Sequence, residues 1–139
     1  MSAVALLFGT AYWKTNWGPI REGPGDPEFA AVCDFIRDKT VSTEIVVFRK
    51  PRLLALLTEH PSTVYLMHLD RDPEPDEIWN YLARVHASYV VVAYLDGPEF
   101  ATDPIVERTL VLHSLEATPD FSNAHFKIYR LATNSPLIL

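Results

Sequence analysis

Hydrophobic positions along this chain follow two rhythms that alternate. Phe29, Val32, Cys33 and Ile36 recur at i, i+3, i+4 and i+7, the stripe of a helix with one buried face. Ile45, Val46, Val47 and Phe48 then run unbroken, as in a strand covered on both sides. The pattern predicts a first helix over 26–39, a strand over 44–49 and a short leucine-rich helix to about residue 58. Pro61-Ser62 breaks that helix, and a second strand is expected over 63–68. An acidic, proline-rich start at 73–77 opens a helix with Ile78, Leu82 and Val85 as its core stripe. Residues 88–94 give the most clearly buried strand, and a helix is expected from Asp103-Pro104 to about residue 117. In the last segment, 125–131, Phe126, Ile128 and Arg130 alternate against Lys127 and Tyr129, which reads as an edge strand with one wet face.

Two helices share one opening. Asp26-Pro27 and Asp103-Pro104 each pair an aspartate that can accept from unbonded amides with a proline suited to the first helical turn. The order α-β-α-β-α-β-α-β implies an α/β fold: a three-layer, Rossmann-like sandwich with a mostly parallel central sheet of about four strands. The α/β domain is expected over 26–132, after an aromatic segment and Gly/Pro connector over 1–25 and before a tail over 133–139.

The first segment has its own character. Residues 3–8 are apolar, and Tyr12, Trp13 and Trp17 follow. Six apolar residues fall far below the ~20 that a membrane helix needs, and no basic n-region or long h-region marks a signal peptide. Two readings stand: a segment packed on the domain, or the end of a membrane helix with an interfacial aromatic belt.

With 139 residues, 48% hydrophobic and 22% charged, the chain suits one globular domain. A net charge of −6 argues against non-specific nucleic-acid binding. Cys33 is the single cysteine, so no internal disulfide forms, and it is expected as a buried small hydrophobe. His60, His68, His86, His113 and His125 lack metal-ligand spacing. Neither a Gly-rich nucleotide loop nor a G-x-S-x-G elbow occurs. No cofactor, metal site or catalytic residue is therefore indicated.

Candidate chemistry gathers where the first strand ends. Arg49, Lys50 and Arg52 surround Pro51, and guanidinium groups grip phosphate or carboxylate with paired hydrogen bonds. Asp70 and Asp96 follow the second and third strands, and ligands of open α/β sheets bind outside the carboxyl ends of strands. These five residues form the candidate ligand-binding set. The plainer reading is a solvated loop whose cations pair with Asp70, Asp72 or Asp96, with the aspartates as turn formers.

Phe48-Arg49-Lys50-Pro51-Arg52-Leu53-Leu54-Ala55-Leu56-Leu57-Thr58 resembles the F-x-K-P-R-x-L-A-L-Y-T-G-R segment of bacterial membrane glycosyltransferases of the dolichyl-phosphate-mannose protein mannosyltransferase and aminoarabinose transferase group. The order of elements over 27–131 is similar too, down to the closing His-Phe-Lys-Ile-Tyr-Arg strand. Leu57 departs from the usual Tyr, and Glu59-His60 stand where Gly-Arg is usual. The resemblance implies a soluble domain on the extracytoplasmic face of the inner membrane, whose partner is the membrane-embedded catalytic portion of the same protein. It also implies proximity to a lipid-linked sugar phosphate or an acceptor. The family's catalytic carboxylate lies in an early membrane loop with no counterpart here, so the domain is expected to be non-catalytic alone. Without the resemblance, a free-standing cytoplasmic α/β ligand-binding protein or enzyme using the strand carboxyl edge is the alternative.

Overall fold

A computed structural model describes residues 23, 25–65, 71–95, 103–113 and 118–131. Helix α1 (Pro27–Lys39) leads into β1 (Ile45–Val47), α2 (Pro51–Thr58) and β2 (Ser62–Thr63). Helix α3 (Pro75–Arg84), β3 (Ala87–Ala93), α4 (Asp103–His113), β4 (Phe121–Ser122) and β5 (Phe126–Arg130) follow. The five strands form one open sheet in the order β2-β1-β3-β5-β4.

The sheet is mixed, which corrects the expectation of about four, mostly parallel strands. β1 pairs parallel with β2 and β3, whereas β5 pairs antiparallel with β3 and β4. Strand β5 is interior, not an edge: it pairs along its length with β3 and is flanked by the two-residue β4. Its alternating polar residues resemble a wet face, but Tyr129 is buried and both it and the partly exposed Lys127 bond to the Glu107 carboxylate of α4. The second strand is Ser62–Thr63 rather than 63–68: Val64 and Tyr65 leave the ladder. Residues 66–70, 96–102 and 114–117, with both chain ends, lie outside the described residues, so the first and last segments and the tail of the fourth helix do as well.

Helices cover both faces. On one side, Phe29, Val32, Cys33 and Ile36 of α1 and Leu54 of α2 pack against Val46, Phe48, Tyr89, Val91, Phe126 and Ile128. The expected α1 stripe is thus the buried face, and burial pushes the Cys33 thiol above its ordinary value. Phe29 stacks on Phe48 at 5.7 Å and leans on Phe126 at the same distance; offset aromatic contacts of this kind add to area burial. On the other side, Ile78 and Leu82 of α3 and Val106 and Leu110 of α4 cover Val47, Val90 and Val92. In α4, Thr109 is buried beside Val106 and Leu110, whereas Leu112 stands 61% exposed.

The strand order reverses beside β1. From β1 the chain moves outward through α2 to β2, then returns through α3, on the opposite face, to β3. The carboxyl ends of β1 and β3 therefore flank a topological switch point, where open α/β sheets place ligands. The Arg49–Arg52 turn lies there, as the sequence suggested.

Candidate functional site

Strand β3 outruns its neighbour. β1 pairs with it only as far as Val47 opposite Val90, yet β3 continues to Ala93. On its other edge, β3 stays bonded to β5 through Ala93 opposite Phe126. The Val91 carbonyl and Ala93 amide are thereby left facing the gap above β1, and buried backbone groups must be satisfied. Side chains do it. The Tyr65 hydroxyl donates to the Val91 oxygen, and the Asp103 Oδ1 accepts from the Ala93 amide at 2.8 Å. Asp103 Oδ1 also lies 3.1 Å from the Tyr65 hydroxyl, whose single proton serves either acceptor.

Asp103 is 1% exposed. A carboxylate so deep needs a compensating cation, and Arg49 supplies it, with Nη1 3.5 Å from Oδ2. The Arg49 side chain is itself only 14% exposed. Arg49 therefore closes the switch point with an anion of the protein's own. Asp70 and Asp96, the partners the sequence offered, lie outside the described residues, and Asp72 is exposed on the way to α3. Lys50 precedes Pro51 as the N-cap residue of α2 and is half-buried; Arg52, in the first turn of α2, is exposed. Of the candidate five, the structure thus places three at the rim and assigns one of them inward.

A second polar cluster sits one helical turn along α4 and was missed in the sequence. Glu107 Oε1 accepts from the Tyr129 hydroxyl at 2.6 Å and from Lys127 Nζ at 2.9 Å. Lys127 lies over the Tyr94 ring, 4.6 Å from its centre, a cation–π placement. Burial opposes the charge on Glu107, but hydrogen bonds from Tyr129, Tyr94 and Lys127 outweigh it and hold the carboxyl below its usual range. Burial first, and the neighbouring Glu107 second, push both Tyr94 and Tyr129 up. The hydrogen bond to Glu107 raises Lys127. A signal for this cluster existed: Asp103 and Glu107 are i, i+4 on one helix face, and Lys127 and Tyr129 are i, i+2 on one strand face.

In both clusters, each carboxylate already accepts from phenols, a backbone amide or a cation of the fold. Among the described residues no group of three or more His, Cys, Asp or Glu side chains is placed to hold a metal ion, and no helix is long and apolar enough to cross a membrane.

The departures from the resembled segment fall far from this rim. Glu59 caps α2 with φ 60° and ψ 19°, the left-handed conformation that glycine adopts most readily. His60 is 7% exposed, with its Nδ1 2.8 Å from the Thr58 carbonyl, so that nitrogen donates. Residues 53–58 of α2 separate Glu59 from Arg52, the last residue of the basic turn, roughly 10 Å at helical rise. No protein-family model, curated protein or solved structure matches the chain.

Proposed function

We propose that this chain is a non-catalytic accessory domain of a membrane glycosyltransferase that uses a lipid-phosphate sugar donor, held on the extracytoplasmic face of the bacterial inner membrane. The observation that carries the non-catalytic part is the Arg49–Asp103 plug. The crevice that would receive a ligand in an open α/β sheet is stoppered by the protein's own ion pair, with the donors and acceptors of β3 satisfied around it. The glycosyltransferase setting rests on the Phe48–Thr58 resemblance. It is supported by Glu59, whose left-handed backbone accounts for a glycine in the resembled segments as a helix cap rather than a sugar contact. The β2-β1-β3 order of the parallel strands supports the Rossmann-like reading of that half of the sheet. On this reading the domain positions the acceptor or the lipid-linked donor, and the partner is the catalytic membrane portion of the same polypeptide.

Two measurements test the proposal. An antibody raised against residues 26–132 is expected to detect, in native cells, a membrane-fraction polypeptide much larger than 15.7 kDa. A 15.7 kDa band confined to the supernatant overturns the reading. The purified chain, incubated with a polyprenyl-phosphate sugar, is expected to transfer nothing; transfer by it alone refutes the non-catalytic role.

A further inference from the structure

We draw no further inference here: the strongest candidate, the exposed apolar pair Val111 and Leu112 in the last turn of α4, beside the stack of His113 on Trp79 of α3, is a small surface patch, and nothing in the structure shows what covers it.

Discussion

Helices α1 and α4 open on the same dipeptide, Asp-Pro, and the two aspartates do different work. Asp26 is a helix cap: its Oδ1 accepts from the Glu28 amide at 2.8 Å and the Phe29 amide at 3.3 Å, in partial contact with solvent. Asp103 turns to the sheet instead, accepting from the Ala93 amide and balancing Arg49 while 1% exposed. The faces behind them differ in the same sense. α1 buries Phe29, Val32, Cys33 and Ile36, whereas α4 buries Val106, Thr109 and Leu110 on a helix that also carries the two engaged carboxylates, Asp103 and Glu107. The cause lies in the sheet. α1 packs over a surface rich in aromatic and aliphatic side chains, while α4 begins beside the unpaired end of β3, which needs a hydrogen-bond acceptor. Local sequence sets where a helix starts; the element it lands on sets what its first residue does.

The contrast is broken most forcefully at Asp103. Replacing it by alanine takes the acceptor from the Ala93 amide and the counter-charge from Arg49, and removing one member of a buried pair costs about 3–5 kcal/mol. Asp103→Ser is the sharper variant, since serine caps helices as well as aspartate does. If Asp103 serves the sheet, serine rescues little of the loss in urea unfolding. Recovery to within about 1 kcal/mol of the parent would make it a cap like Asp26.

That ambiguity is why the site was only half legible in the sequence. The α1 stripe and the unbroken Val90-Val91-Val92 run could be read because burial on one or both faces leaves a period in the chain. The position of the basic turn followed from strand, proline and helix in succession. Strand direction could not be read, because a period of two is the same for parallel and antiparallel partners. The two-residue β4 is too short to leave any period. The partner of Arg49 stands 54 residues away, and that of Lys127 stands 20 away. Such pairings depend on topology, and nothing in the spacing of the chain pointed from these cations to Asp103 or Glu107.

Glu107 extends the contrast to a partly exposed site and makes it titratable. Glu107→Gln loses charge-assisted bonds to Tyr129 and Lys127; for groups this exposed about 1–2 kcal/mol is expected. The pH dependence follows from the direction of the shift. The folded carboxyl lies below its ordinary value of 4.5, so its stabilising contribution is complete above about pH 4.5 and is lost as pH falls through the folded value. Urea midpoints measured from pH 6 to 3 should converge for parent and Glu107→Gln; a constant gap would remove Glu107 from the acid response. At the alkaline end the sign reverses. Tyr94 and Tyr129 are raised above 10.0, so their contribution holds below about pH 10.0 and is lost as pH rises toward their folded values. Absorbance at ~295 nm should therefore show these phenols ionising late, or only on unfolding.

Asp26 offers the smaller contrasts. Asp26→Ala removes a cap and should cost about 1 kcal/mol, well short of the Asp103 loss although the dipeptide is the same.

Asp26→Ser carries the smallest effect and the most pointed comparison with Asp103→Ser. Serine supplies an oxygen to the Glu28 and Phe29 amides as aspartate does, and the two rank together as caps. What serine lacks is the negative charge beside the positive end of the helix, worth about 0.3–1 kcal/mol at an exposed terminus and screened by salt. The expected loss is a few tenths of a kcal/mol in low salt, shrinking toward zero in ~1 M sodium chloride, where the screening length is about 3 Å. Asp103→Ser should show no such recovery with salt, because the charge it removes sits against Arg49 inside the protein, where mobile ions do not reach. Paired melts of the two serine variants across salt therefore separate a surface cap from a buried plug. Parallel salt dependence would show that Asp26 and Asp103 do the same job after all.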